Sequence, residues 1–248
     1  MMKLWVNVCF HYVPERLENF NKLIKNLQKI NCKGVKVVIN SNTNFNDDLQ
    51  IDVAELADPF HLTWEHKKYM PQFLESDYTH FAYLEGNVDV SQKTFNYWLR
   101  TRKLFKDNNF NFIPGIHRIE IDEEGKIYSL DCTNRVNINN SQKIFIDDDM
   151  YLSLPEPYQG MFIMDREMVE EHIKSDYFNV GQKGWWGIRE SANLGNTFIN
   201  PPAGFNHRVL VPMEHFSDCW VHHMTNNYVT NVHSPHSKIL VDKLFHGN

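Results

Sequence analysis

The stretch FAYLEGNVD, residues 81–89, runs from four mostly apolar residues into a cluster of acidic and amide side chains. A short apolar run bounded by polar turn residues fits a buried strand of a parallel sheet. Because ligands collect at the carboxyl ends of such strands, we expect Glu85, Asn87 and Asp89 to face a crevice. Hard divalent cations prefer oxygen ligands, so a metal bound here would reach a diphosphate. The alternative is that Gly86 and Asn87 only form the turn that ends the strand.

The residues before this stretch predict a βαβ unit. The pattern indicates a strand over 3–10, an amphipathic helix over 17–30 and a second strand over 35–39. Such a unit predicts a parallel sheet, so the residues that follow its strands lie at the same edge as Glu85. Those residues are His11, Tyr12 and Asn40, although each of them taken singly also fits an ordinary loop.

A further helix is predicted over 63–74, with Thr63 as its N-cap. Pro71 lies inside this helix and should kink or divide it. The first turn carries His66, Lys67 and Lys68, which would meet phosphate groups if the helix lies beside the crevice. For either lysine alone, a solvated charged turn is the simpler interpretation.

The second half of the chain has a mixed pattern. It predicts a helix over 92–106 capped by Ser91, a hairpin over 118–130, a strand over 158–164 and a helix capped by Asp165. The hairpin marks a switch to antiparallel structure. Asp147, Asp148 and Asp149 form a rival metal site, or more simply an exposed acidic turn.

Two adjacent tryptophans, Trp185 and Trp186, lie between glycines. Indole rings offer flat apolar faces that stack on sugars, and they fit a core equally well. Glu190 follows apolar residues, so we expect a carboxylate with a raised pKa that can act as a general base. The alternative is that Glu190 forms a structural ion pair with its neighbour Arg189.

The C-terminal region is rich in histidine, with His222 and His223 adjacent and His233 and His236 following them. Paired histidines suggest metal ligands, but the spacings match no zinc pattern. We therefore favour one histidine that completes an oxygen-rich metal site over a structural zinc site.

Composition limits the class of protein. The chain has 248 residues and a net charge of −6, which argues against nucleic acid as a partner. No apolar run approaches the ~20 residues that span a bilayer, so we expect no transmembrane segment. The N-terminus has the pattern of a strand rather than a signal peptide, and the four cysteines are scattered without a CxxC motif. These features favour a cytoplasmic protein, with peripheral membrane association left open.

Taken together, this order of elements resembles the GT-A fold of nucleotide-sugar glycosyltransferases. Residues 83–87 fall where those enzymes carry the metal-binding DxD motif, and residues 158–166 resemble their acceptor-side strand and helix. The resemblance implies a single Rossmann-like α/β domain with a mostly parallel central sheet, flanking helices and a smaller antiparallel part. Its nucleotide-binding half would be 1–90 and its acceptor-binding half 91–248.

The resemblance also implies a division of roles within the site. A nucleoside diphosphate-sugar donor would contact His11, Tyr12, Asn40, His66, Glu85, Gly86 and Asn87. A glycan or other hydroxyl acceptor would contact Gly160, Trp185, Trp186 and Arg189. A divalent cation, Mn²⁺ or Mg²⁺, would be held by Glu85, Asn87, Asp89 and His222 or His223. Glu190 would be the catalytic base of an inverting transfer.

One departure from the family pattern keeps other functions open. Gly86 stands where the second carboxylate is expected and Asn87 where the third is, so only Glu85 keeps a charge in the motif. A catalytically weakened sugar- or nucleotide-binding module is therefore the main alternative. A sugar nucleotidyltransferase usually has a Gly-rich loop, which is missing between Phe10 and Glu18. A scaffold protein with a metal-binding tail is the remaining possibility.

Overall fold

The computed structural model describes residues 2–132, 134–179, 187–193, 200–231, 233–234 and 238–246. The chain divides into two compact units. Unit 1 comprises Met1–Val88 and Gln159–Ile199, and unit 2 comprises Asp89–Tyr158 and Asn200–Asn248. The first boundary lies close to the predicted limit of the nucleotide-binding half, but residues 159–199 return to unit 1. Whether the chain acts as one domain stays a prediction.

Unit 1 is built on a five-stranded sheet in the order β12-β4-β1-β2-β3. Its strands are β1 (Lys3–Phe10), β2 (Gly34–Ser41), β3 (Ile51–Val53), β4 (His80–Glu85) and β12 (Met161–Asp165). Strands β1 to β4 pair in parallel, whereas β12 pairs antiparallel with β4. The predicted α/β fold with a mostly parallel sheet is confirmed.

The helices of unit 1 are α1 (Leu17–Gln28), α2 (Met70–Glu75), α4 (Arg166–Lys174) and α5 (Ile188–Ser191), whereas α3 (Gln92–Asp107) and α6 (Asn227–Thr230) belong to unit 2. Helix α1 is amphipathic and buries Phe20, Leu23 and Leu27 completely. Asp165 caps α4 as predicted, because its carboxylate accepts the Met168 backbone N–H at 2.9 Å.

The helix predicted over 63–74 is different in the structure. A 3₁₀ helix spans Pro59–Tyr69, and α2 follows it directly. The carboxylate of Asp58 caps the 3₁₀ helix by accepting the Phe60 N–H at 2.9 Å, so the prediction of Thr63 as N-cap was wrong. Pro71 lies in the first turn of α2, where its missing N–H leaves no bond unmade, and it divides the segment as predicted.

Unit 2 contains the remaining strands, in mixed sheets. They are β6 (Ile113–Pro114), β7 (His117–Ile121), β8 (Ile127–Ser129), β9 (Val136–Asn137), β10 (Lys143–Ile146), β11 (Asp149–Leu152), β13 (Val209–Pro212), β14 (Trp220–His223), β15 (Ile239–Leu240) and β16 (Phe245–His246), while β5 (Val88–Asp89) spans the boundary. Strands β7 and β8 form the predicted antiparallel hairpin. Strands β10 and β11 form a second one, with Asp147 at a φ of 53° in its turn.

Helix α3 covers one core of unit 2. Ser91 caps it as predicted, with its side chain accepting the Thr94 N–H at 3.4 Å. Phe105 packs with Phe112, Tyr151 and Leu210 in a buried cluster. Among the described residues, no helix is both long and apolar enough to cross a bilayer.

Candidate functional site

The register of unit 1 brings the carboxyl ends of its central strands level. Cys9 lies opposite Asn40 of β2 and opposite Glu85 of β4. The residues that follow each strand therefore meet at one edge of the sheet, as they do in open α/β sheets with ligand sites. His11 and Tyr12 follow β1 at this edge.

The loops after β1 and β2 are joined by two hydrogen bonds between the Tyr12 backbone and the Asn42 side-chain amide. The Tyr12 backbone N–H donates to Asn42 Oδ1 at 2.6 Å, and Asn42 Nδ2 donates to the Tyr12 carbonyl at 3.4 Å. The Tyr12 ring stacks on Phe45, with centroids 4.9 Å apart and an interplanar angle of 10°. Both loops are thereby fixed beside the sheet edge.

A pocket of 460 Å³ opens at this edge, and we call it the edge pocket. Its lining residues are His11, Asn42, Ala54, Glu55, Leu56, Ala57, Pro59 and Leu62. They follow β1, β2 and β3 and begin the Pro59–Tyr69 helix. The volume lies within the roughly 300–1,000 Å³ of typical small-molecule sites. Among the described residues, no lysine or arginine lines the pocket, so its walls suit a neutral polar ligand better than a phosphate.

His11 lines the edge pocket, and one of its ring nitrogens is not used by the described part of the fold. Its Nδ1 is buried and has no hydrogen-bond partner among the described residues. Buried polar atoms are almost always paired in folded proteins, so an unpaired one beside a pocket indicates a place for a ligand or water.

Asn40 lies away from the pocket, inside unit 1. It is fully buried, and its amide nitrogen donates to the side-chain oxygen of Asn7, which is also fully buried. The Asn40 side-chain oxygen is buried without a partner among the described residues, and the donor-binding role of Asn40 stays a prediction.

His66 is also enclosed in the core of unit 1. Its Nδ1 lies 2.6 Å from the Thr63 carbonyl, and its ring packs against Tyr83 and Phe162. Burial lowers the pKa of His66 to about 3, so the ring is neutral at pH 7 and Nδ1–H donates to Thr63. His66 therefore packs inside unit 1 with its Nε2 unpaired among the described residues, and its predicted role in donor binding stays a prediction.

The two lysines beside His66 have partners within unit 1. Burial lowers the pKa of Lys67 to about 8, and its ammonium donates to the carbonyls of Tyr177 and Phe178 at 3.1 Å each. The Lys68 ammonium lies 2.7 Å from Asp52 and 2.6 Å from Glu65.

The contacts at the end of β4 explain why position 86 is a glycine. The Gly86 N–H donates to the Cys9 carbonyl at 2.9 Å, which extends the ladder by one residue before the turn at Gly86 and Asn87. A Cβ on Gly86 would lie 2.5 Å from Cδ2 of Phe10. No side chain fits at this position while Phe10 keeps its place, and a carboxylate is excluded for the same reason.

The acceptor-side residues are only partly described. Glu190 lies in the first turn of α5, and its carboxylate folds back against Gly187, where it would meet a Cβ. Gly160 is buried, and its carbonyl accepts the Glu85 N–H at 3.0 Å. Trp185 and Trp186 lie outside the described residues. The acceptor-binding role of these residues stays a prediction.

The predicted metal-binding histidines of unit 2 have protein partners. His223 Nδ1 lies 2.5 Å from Oε1 of the fully buried Glu120. His222 Nε2 lies 2.7 Å from Oδ1 of Asn226. The metal prediction combines these histidines with Glu85 and Asn87 of unit 1, and it stays a prediction. Among the described residues, no three His, Cys, Asp or Glu side chains are grouped so that they could hold a metal ion.

Four aspartates that we considered as metal ligands belong to unit 2. Asp89 is half-buried at the end of β5. Asp147 and Asp148 form the exposed turn of the β10–β11 hairpin, and the half-buried Asp149 begins β11. This placement agrees with the acidic turn that we weighed against a rival metal site.

Sequence reasoning missed most of the edge pocket. Asn42 and Glu55 line it, and neither was predicted to bind a ligand. The available signal was the short segment Ile51–Val53, in which two β-branched residues flank Asp52. It becomes the edge strand β3 and brings residues 54–57 to the same sheet edge. A three-residue strand carries too little periodicity to identify it from sequence.

Comparison with known proteins found no family model and no curated protein that matches the chain. The crystal structure of A197 from STIV is similar at 14% identity and a TM-score of 0.36, over 85% of this chain and 81% of that one. The crystal structure of a glycosyltransferase involved in the glycosylation of the major capsid of PBCV-1 is similar at 11% identity and a TM-score of 0.44, over 90% and 94%. Because both TM-scores are below 0.5, the fold rests on the chain's own topology.

Proposed function

We propose that this protein is a glycosyltransferase that binds a nucleoside diphosphate-sugar at the edge of unit 1 and transfers the sugar to a hydroxyl acceptor. The edge pocket carries the proposal, because it lies at the carboxyl ends of parallel strands and suits a nucleoside in volume and charge. His11 and Glu55, which both line the pocket, are the polar residues that would contact a base or ribose. The GT-A resemblance of the sequence supports the same assignment.

The proposed reaction is an in-line displacement with Glu190 as general base. The Glu190 carboxylate takes the proton of the acceptor hydroxyl, whose oxygen bonds to the anomeric carbon of the sugar. The bond from that carbon to the diphosphate breaks as the new one forms, and the diphosphate leaves with the electron pair. Glu190 lies in unit 1, which also contains the edge pocket.

The expected Mn²⁺ or Mg²⁺ is not part of this reaction scheme. At the end of β4 the described residues offer a single carboxylate, Glu85, and Gly86 leaves no room for a second. Such a donor set does not fit an ion held by the protein alone, although Mg²⁺ is often bound by few carboxylates and substrate phosphates. We therefore derive no step through a metal.

A binding module remains the second candidate, since Gly86 replaces a motif carboxylate. Both candidates predict binding of a nucleoside diphosphate, and only the enzyme predicts sugar transfer or slow donor hydrolysis.

Calorimetric titration with UDP, GDP, ADP and CDP, each with Mn²⁺ and with EDTA, tests the proposal. We expect one of them to bind, and we expect Ala57→Trp, which fills the edge pocket, to weaken that binding by more than about tenfold. Val53→Trp is the matched control, because Val53 is 44% exposed on β3 and does not line the pocket.

Two results would overturn the proposal. The first is a folded protein that binds none of these nucleotides, and the second is equal binding by Ala57→Trp and Val53→Trp. Incubation with the matching nucleotide sugars then separates the candidates. Release of the nucleoside diphosphate supports the enzyme, and binding without turnover across a broad acceptor panel supports the module.

A further inference from the structure

Arg189 is an exposed cation held in a defined place on unit 1. Its guanidinium carbon lies 5.1 Å from the centroid of the Phe60 ring. Helix α5 is fixed there because the Trp64 indole N–H donates to the Ile188 carbonyl at 2.9 Å. Among the described residues, no carboxylate forms a salt bridge with Arg189. Its charge is therefore not used within the described part of the fold.

Phe60 connects Arg189 to the edge pocket. Its neighbours Pro59 and Leu62 line the pocket, whereas the Phe60 ring is 53% exposed. A large exposed aromatic ring with a guanidinium over its face forms a rigid cationic surface. This surface continues from the pocket along the Pro59–Tyr69 helix to α5.

Arg189 also lies near the strand ends of unit 1. Burial raises the pKa of the Cys9 thiol to about 12, and the negative charge of Glu85 adds to this shift. The Arg189 guanidinium acts on the same thiol in the opposite direction. Arg189 and Glu85 thus have opposite electrostatic effects on the thiol at the carboxyl end of β1.

The distribution of charge in this region favours the nucleoside inside the edge pocket and the phosphates outside it. Among the described residues, Glu55 lines the edge pocket and no lysine or arginine does, so a phosphate inside it would meet a negative charge without a permanent positive one. The nearby lysines are bound to carbonyls or carboxylates, as described above for Lys67 and Lys68. Arg189 is the exposed cation next to the pocket that keeps its donors available within the described residues.

We propose that Arg189, seated on Phe60, binds the diphosphate of a nucleotide whose nucleoside occupies the edge pocket. This inference rests on the proposed function and names the group that neutralises the leaving diphosphate. A guanidinium matches two phosphate oxygens with parallel N–H donors and stays protonated at every working pH. Glu85 alone does not hold a metal ion firmly. In this proposal the guanidinium of Arg189 therefore provides the positive charge that faces the diphosphate.

The test compares nucleoside diphosphates with their nucleosides, for example UDP with uridine and GDP with guanosine, in EDTA. We expect Arg189→Met to weaken diphosphate binding about 10- to 100-fold while nucleoside binding changes less than about twofold. Arg189→Lys should recover part of the loss, because lysine keeps the positive charge but lacks the parallel N–H donors of the guanidinium. Arg16→Met is the matched control, since Arg16 is an exposed arginine of unit 1 at the start of α1.

The outcomes separate this inference from the function on which it rests. Unchanged diphosphate binding by Arg189→Met would overturn the role of Arg189 and leave the nucleotide site intact. Equal losses for diphosphate and nucleoside would also overturn it, because Arg189 would then only support the pocket. Full rescue of Arg189→Met by Mn²⁺ would assign the charge to a metal instead. A wild-type protein that binds neither ligand would overturn the proposed function as well.

Discussion

Units 1 and 2 use the same kinds of polar residue in opposite ways. In unit 2 the fully buried Glu120 accepts His223 Nδ1 at 2.5 Å and two backbone N–H groups, those of Tyr228 and Val229, at 3.0 and 2.8 Å. At the edge of unit 1, His11 Nδ1 is buried without a partner among the described residues. The Arg189 guanidinium lies over the Phe60 ring and forms no salt bridge among the described residues.

This difference shows how a candidate site is recognised. A cluster of His, Glu and Arg is equally visible in both parts of the sequence, but in unit 2 the fold itself uses the hydrogen-bonding capacity of these groups. The edge of unit 1 keeps donors, acceptors and a pocket that the fold does not need. Unused polar groups beside a cavity are therefore the better indication of a ligand site than residue type alone.

The largest expected effect comes from breaking the buried ion pair between Arg118 and Asp131 in unit 2. The Arg118 guanidinium lies 2.9 Å from Asp131, and both side chains are largely buried. Asp131→Ala would leave the arginine charge buried without its partner and should lower the free energy of unfolding by about 3–5 kcal/mol. Urea titration measures this loss.

Asp107→Ala is the control for that prediction. Asp107 pairs with Lys103 on the exposed face of α3, so its removal should cost no more than about 0.5 kcal/mol. If the two variants lost equal stability, the buried pair of unit 2 would be no more important for stability than an exposed pair of the same unit.

The second prediction concerns buried histidines, which occur in both units. Burial lowers the pKa of His66 and of His172 in unit 1 to about 3, and that of His117 in unit 2 to about 4. In the unfolded chain these groups titrate near 6.5, so between pH 6.5 and 4 the unfolded state binds more protons. As the pH is lowered through this range, the free energy of unfolding should therefore decrease by up to about 1.4 kcal/mol per pH unit for each histidine.

His172→Leu tests this slope. Both ring nitrogens of His172 are buried without a partner among the described residues, so an apolar side chain should be tolerated at pH 7. The variant should lose its share of the acid slope in urea titrations at pH 5, 6 and 7. A slope equal to that of the wild type would mean that His172 is not a buried neutral group.

The sequence predicted those parts of the fold that are local. The strands β1 and β4, helix α1 and the caps Ser91 and Asp165 follow from periodicity and cap chemistry. The antiparallel pairing of β12 beside β4 depends on contacts about 80 residues apart in the chain, and no local pattern encodes it. The burial of His66 was missed because a 3₁₀ helix has a different period from the expected α-helix, which changes the face that each residue occupies.

The third prediction concerns the close approach at the end of β4. In Gly86→Ala the new Cβ would lie 2.5 Å from the Phe10 ring, which is itself stacked on Phe20 at 4.3 Å. We expect a loss of about 1–3 kcal/mol in urea unfolding, and a smaller loss in the background of Phe10→Leu. Gly34→Ala is the control, since nothing lies within 4 Å of its Cβ position. Equal stability of the two alanine variants would remove the steric explanation for the missing motif carboxylate.

The smallest effect on stability, and the most informative one for function, is expected from Gly187→Ala. The added Cβ would displace the carboxylate of Glu190, a flexible group, so the free energy of unfolding should change by less than about 0.5 kcal/mol. If Glu190 is the base, a displacement of about 1 Å can slow transfer by up to about a hundredfold, while donor affinity stays the same. Single-turnover transfer assays of Gly187→Ala, Glu190→Gln and the control Gly34→Ala measure this.

Full activity of Gly187→Ala beside an inactive Glu190→Gln would mean that Glu190 leaves its folded-back position to react. Full activity of both would remove Glu190 from the mechanism and leave the edge pocket as the functional feature of unit 1.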